Sequence, residues 1–113
     1  MQIGINIAVK GSSASTPLPP APVNTVAPLI SGPNSPNYYD GDLITTTNGT
    51  WTNSPISYTY QWYRNSGQII GETSSTYLLS FEDIENSISC QITATNAGGS
   101  TPIYSSNSAY IYG

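Results

Sequence analysis

Apolar and polar residues alternate with period two along most of this chain. Over residues 1–10, Ile3, Ile5, Ile7 and Val9 fall on one side, and Gln2, Gly4, Asn6 and Lys10 on the other. That is the pattern of an amphipathic β-strand. The next stretch, GSSASTPLPPAP (11–22), breaks it and reads as a linker, flexible in its Gly/Ser part and stiffened by Pro17, Pro19 and Pro20. From Val23 onward short apolar–polar runs predict strands at about 24–31, 41–47, 56–64, 68–71, 76–80, 87–95 and 101–111. GPNSPN (32–37), NGTWTNSP (48–55), RNSGQ (64–68) and NAGGS (96–100) are the expected loops and turns between them. FEDIEN (81–86) has room for one helical turn at most, and no other stretch holds apolar residues at helical spacing.

The alternation also assigns faces. In SISCQITAT, Ile88, Cys90, Ile92 and Ala94 oppose Ser89, Gln91, Thr93 and Thr95, so the apolar set is expected to point inward. In ISYTYQWYR, Tyr58, Tyr60 and Trp62 share one face and Thr59, Gln61 and Tyr63 the other. Strands of this length and spacing, with turns between, predict an all-β sandwich or barrel.

Composition narrows the function classes. At 113 residues the chain holds one ordinary domain plus a tail. Lys10 and Arg64 are the two basic residues in a chain of net charge −4. Two cations cannot follow a phosphate backbone, so no nucleic acid partner is expected. There is no His and a single Cys, Cys90, which removes the commonest general base, most zinc sites, any Cys–His pair and any intrachain disulfide. No apolar run approaches the length of a membrane span. MQIGINIAV lacks a basic n-region, and Gly4 and Asn6 interrupt its apolar core, so synthesis in the cytoplasm without a secretion signal is expected.

Residues 23–111 resemble an immunoglobulin-like domain. YQWYRN resembles the strand on which a central Trp, here Trp62, packs in the sandwich. LLSFEDIENSISCQITATNAGGS resembles the corner and following strand that carry a Cys, here Cys90, before a hairpin. More closely, VNTVAPLISG, GDLITTTNGTWTNSPISYTYQWYRN and ITATNAGGS are similar to bacterial Ig-like modules found in structural proteins of tailed bacteriophages. The resemblance implies an Ig-like β-sandwich of about seven strands at 23–113, behind an arm at 1–10 and a linker at 11–22. Two positions depart from the antibody-like pattern. The place of the partner Cys falls within DLITTT, and Ile88 stands two before Cys90 where a Tyr is common. Forgoing the disulfide gives up about 2–4 kcal/mol. Packing of Trp62 with Leu43, Tyr60, Ile88 and Ile92 is expected to offset it. The expected structural core is Trp62, Ile88, Cys90 and Ile92, with Cys90 an inert buried thiol.

Candidate chemistry is sparse. The carboxylates are Asp40, Asp42, Glu72, Glu82, Asp83 and Glu85. FEDIE clusters three of them at what is expected to be a solvated corner, and neither it nor YYDGD has the spacing of a calcium loop. Asn48-Gly49-Thr50 is a formal glycosylation acceptor but reads as a turn, and NAGGS as a hairpin rather than a phosphate loop. No catalytic residue, metal site or cofactor is expected. Tyr38 and Tyr39, at a strand edge, are candidates for stacking on sugars, and Tyr104, Tyr110 and Tyr112 line the last strand.

Function is therefore sought outside the sandwich. Burying the four apolar residues of the arm would contribute about 6–12 kcal/mol, whereas ordering ten residues costs roughly 10–20 kcal/mol in backbone entropy. Pairing with a partner sheet, or packing of several copies, would tip that balance. With the phage resemblance, Ile3, Ile5, Ile7 and Val9 are expected to anchor a non-enzymatic virion protein, a capsid decoration (cement) protein present in multiple copies. Two alternatives stay open: a tail, neck or fibre component whose arms form a homo-oligomeric β-bundle, and an adhesion module for host surface glycans.

Overall fold

The structure is a computed structural model and describes residues 17–113. The arm, its anchor residues Ile3, Ile5, Ile7 and Val9, and the linker up to Thr16 lie outside the described residues.

The described chain is all-β. Its strands are β1 (Val23–Val26), β2 (Ile30–Ser31), β3 (Tyr38–Tyr39), β4 (Leu43–Thr46), β5 (Thr50–Thr52), β6 (Ser57–Arg64), β7 (Gly67–Gln68) and β8 (Thr76–Leu78). A single 3₁₀ turn at Phe81–Asp83 leads into β9 (Ser87–Asn96), β10 (Gly99–Tyr104) and β11 (Ala109–Tyr112). A large sheet runs β3-β11-β9-β6-β7, with β10 also on β9; a small one runs β2-β4-β8; β1 and β5 form a separate ribbon. Every pairing is antiparallel except β3 with β11. This arrangement is compatible with a β-sandwich.

The core sits between the large and small sheets. Trp62 of β6 lies directly across from Cys90 of β9, and both are fully buried with Ile88, Ile92, Ala109 and Ile111. Ile30, Ile44 and Tyr77 close the core from the small sheet. Tyr77 stacks on Trp62 at 5.7 Å between ring centroids, and the Trp62 indole N–H donates to the Ser74 carbonyl at 2.7 Å. Each large apolar side chain buried this way stabilises the fold by about 1.5–3 kcal/mol.

Several expectations change here. Leu43 faces solvent and Ile44 fills the core beside Trp62's sheet, because Leu43 pairs with exposed Leu78 while Ile44 pairs with buried Tyr77. In GDLITTT both faces carry one aliphatic, and a one-residue offset exchanges them. The expected loop at 48–55 contains β5, which finds its partner in distant β1. The run at 101–111 divides into β10 and β11, separated by residues 105–108, and both pair with β9.

The last residues of the expected linker are held by side chains of the domain. The Asn96 and Asn53 amides donate to the Pro20 and Ala21 carbonyls at 2.8 and 2.9 Å. The Thr101 hydroxyl donates to the Pro22 carbonyl at 2.6 Å. Pro19–Pro22 are thereby clasped onto the β9–β10 hairpin. At Gly98 the Pro19 carbonyl occupies the space that a Cβ would take, so the small residue of NAGGS serves this close approach.

Candidate functional site

The carboxylate cluster at 81–86 is divided by the 3₁₀ turn. Glu82 and Glu85 face water, but Asp83 is fully buried, contrary to the solvated corner expected from sequence. Its Oδ1 accepts from Arg64 Nε at 2.7 Å. Its Oδ2 accepts from the Tyr77 hydroxyl at 2.8 Å, the Ser80 backbone N–H at 2.8 Å and the Ser80 hydroxyl at 3.3 Å. Four donors thus satisfy a carboxylate taken out of water, which an unpaired one could not survive. The Ser80-to-Asp83 spacing, a polar residue followed three later by an acid, is the local signal that could have found this contact. Arg64 belongs to the large sheet and Tyr77 to the small one, so the group ties the two sheets at one end. The hydrogen bond to Asp83 raises the guanidinium's proton affinity further. Both carboxylate oxygens of Asp83 are thus engaged by groups of the fold.

Cys90 is equally closed. It is a free, buried thiol, and burial pushes its pKa from 9.0 to about 12. The Tyr77 phenol rises from 10.0 to about 12, first through burial and then through its bond to Asp83. The sign follows from proton counts. In the unfolded chain the thiol ionises above about pH 9 and the phenol above about pH 10, while the fold keeps both protons to about pH 12. Below pH 9 both states hold the protons and stability is unaffected. Between pH 9 and 12 the unfolded state binds fewer protons, so stability falls. Each group removes about 1.4 kcal/mol per pH unit above its unfolded value. Urea midpoints measured from pH 7 to 11 should stay level to about 9 and then drop. In Cys90→Ala the drop should begin about one unit later, and an unchanged onset would contradict this origin.

Asn48 of the formal glycosylation triplet is engaged by the fold. Its side-chain oxygen accepts from the Tyr60 hydroxyl at 2.6 Å and its carbonyl from the Trp51 indole at 2.7 Å. Among the described residues no group of three or more Cys, Asp or Glu side chains converges on one point, and no pocket is present.

The two tyrosines singled out for sugar stacking separate. Tyr38 is buried: its hydroxyl donates to the Ile30 carbonyl at 3.4 Å and lies 3.2 Å from the Ser35 hydroxyl. Neighbours in a strand point to opposite faces, so only Tyr39 reaches the surface. There it joins residues that the alternation of β11, β10 and β6 turns outward. Tyr39 lies 6.1 Å from Tyr112, and Tyr112 lies 5.2 Å from Tyr110, between ring centroids. Tyr63 and Tyr104 form a second pair at 5.4 Å. Sequence reading placed Tyr104, Tyr110 and Tyr112 on one strand; it did not join them to Tyr39 and Tyr63, because that depends on β3 and β6 lying in the same sheet.

Comparison with family models, curated proteins and solved structures gave no match to this chain.

Proposed function

We propose that this chain is a non-enzymatic virion structural protein, a capsid decoration protein that displays an Ig-like domain on a tethered N-terminal arm. It is made in the bacterial host cytoplasm and resides in the virion. The carrying observation is that strands among residues 23–112 enclose a core built on Trp62, Ile88, Cys90 and Ile92. The amphipathic pattern of Ile3, Ile5, Ile7 and Val9, read from the sequence, is the part of the chain assigned to the capsid partner. The Ig-like assignment is supported by the Trp62–Cys90 pairing, the Tyr77 stack on Trp62 and the parallel placement of β3 beside β11. The clasp of Pro19–Pro22 on the β9–β10 hairpin supports a reading in which this end of the domain faces the shell.

The test compares the full chain with a version lacking residues 1–10, incubated with particles that lack the protein. The full chain is expected to co-sediment with particles at saturable occupancy. The shortened chain, with an unchanged unfolding transition, should stay in the supernatant. Full occupancy by the shortened chain would overturn the assignment. A stable trimer of the free full chain would instead favour the fibre alternative.

A further inference from the structure

Three large aliphatic side chains stand exposed around the clasped end of the domain: Leu18 at 70%, Val23 at 54% and Ile56 at 78%. Leu18 precedes Pro19, whose carbonyl sits against Gly98, and Val23 follows Pro22, whose carbonyl accepts from Thr101. Ile56 donates its N–H to the Thr95 carbonyl at 2.8 Å, next to Asn96. The Asn53 side-chain amide donates to the Ala21 carbonyl at 2.9 Å, and the Asn53 carbonyl accepts from the Asn96 amide at 2.7 Å. Asn53 and Ser54 take φ of 65° and 49°, a left-handed backbone that residues with a side chain seldom adopt. Those two hydrogen bonds hold the turn that presents Ile56.

Charge is distributed unevenly along the sandwich. Residues 17–26, 48–57 and 94–102, which build the clasped end, contain no Asp, Glu, Lys or Arg. The six acids and Arg64 lie toward the other end. Arg64 pairs with Ile88 and holds Asp83, with Glu82 and Glu85 close by in the chain. Asp42 accepts from the Tyr39 N–H at 3.1 Å, near Asp40. The Glu72 carbonyl accepts from the N–H of Trp62, across from Cys90. Giving up water costs least where a surface holds no ions, and charged residues are depleted at the centres of protein interfaces.

Both features meet the point where the tether arrives. Eight residues separate Lys10 from Leu18, a reach of at most about 29 Å. A partner that holds residues 1–10 is therefore confined to the neighbourhood of this end, at an effective concentration of about a millimolar. Three aliphatic side chains offer on the order of 200 Å² of apolar surface, short of the ~800 Å² a side of a stand-alone complex. Alone they would not hold a partner. Beside an arm that already does, a weak contact suffices.

From these features we infer that Leu18, Val23 and Ile56 form a second contact, borne by the domain itself, with the shell protein that holds the arm. The surface they meet there is uncharged and apolar. The inference rests on the anchoring role proposed for residues 1–10 and adds to it. The arm captures; the clasped end orients the domain and leaves its acidic end in water.

Particles lacking the protein should be titrated with the full chain, with Leu18→Ser, with Ile56→Ser and with the double variant, and the bound fraction read by sedimentation. Each single replacement is expected to weaken association about threefold to tenfold, and the pair about thirtyfold, with the unfolding midpoint unchanged. Ile70→Ser removes an isoleucine that is 85% exposed but lies outside the clasp, and should bind as the unmodified chain does. Hydroxyl-radical footprinting should find Leu18 and Ile56 protected on particles and Ile70 oxidised as in the free chain. Three outcomes would overturn the inference: undiminished binding of the double variant, an equal loss in Ile70→Ser, or Ile56 oxidised equally on and off particles. A dimer of the free chain that Ile56→Ser dissolves would do the same, giving the patch to a second copy. Undiminished binding of the double variant removes only the second contact, because these variants keep the arm. Full occupancy by the chain lacking residues 1–10 removes the anchoring role, and this inference with it.

Discussion

Asp83→Ala is expected to destabilise the domain by about 3–5 kcal/mol, the usual cost of removing one partner from a buried charged pair. The replacement strands several groups at once. Arg64 loses its 2.7 Å acceptor, and the Tyr77 hydroxyl and Ser80 N–H lose theirs at 2.8 Å. Each orphaned buried donor costs about 1–3 kcal/mol, and Arg64, partly exposed, recovers some hydration. Domains of this size are stable by about 5–15 kcal/mol, so the variant should sit near the edge of unfolding at room temperature. Asp83→Asn keeps the shape and one acceptor oxygen and should lose less. Joint replacement of Asp83 by Leu and Arg64 by Met should recover most of the loss, because an apolar pair owes no desolvation. Urea denaturation of the three variants decides it: equal losses would mean that the effect lies in packing rather than in the buried charge.

Trp62→Ala is expected to cost a similar 3–5 kcal/mol, by a different route. Trp62 is fully buried between the sheets, stacked on Tyr77 and bonded to the Ser74 carbonyl. Its removal leaves a cavity at the centre of the sandwich and an acceptor without its donor. With no disulfide across the core, nothing covalent limits the resulting loosening. Trp62→Phe restores most of the volume but not the indole N–H, and should cost roughly half as much. Thermal unfolding followed by near-ultraviolet circular dichroism measures both. A loss under about 1 kcal/mol for Trp62→Ala would show that the site collapses around the gap and that Trp62 is not the central packing element.

Strong local periodicity was readable from the chain. β9 alternates without ambiguity, and its buried set, Ile88, Cys90, Ile92 and Ala94, follows directly from the sequence. Trp62 and Cys90 were assigned to the core from their motifs, and both are buried there. What escaped depends on distant partners. Asp83 reads as a surface charge until Arg64, nineteen residues earlier, is brought beside it. Leu43 and Ile44 look equivalent until the pairing of β4 with β8 fixes which faces inward. β5 is three residues long and gains strand character only against β1. The tyrosine cluster draws on β3 and β11, separated along the chain and joined by the sheet. Tyr38 and Tyr39 show the limit most plainly: one is core, the other surface, and only register tells them apart.

The central claim is that residues 1–10 hold the chain to a larger assembly while the sandwich is displayed with its clasped end inward. Cryo-electron microscopy of particles carrying the full chain tests this most directly. The account predicts density for residues 1–10 as a strand paired with a capsid protein. The β9–β10 hairpin and Pro19–Pro22 should lie nearest the shell, and Tyr39, Tyr110 and Tyr112 outermost. Density showing residues 1–10 added to their own sandwich, or the tyrosine end seated on the shell, would contradict it.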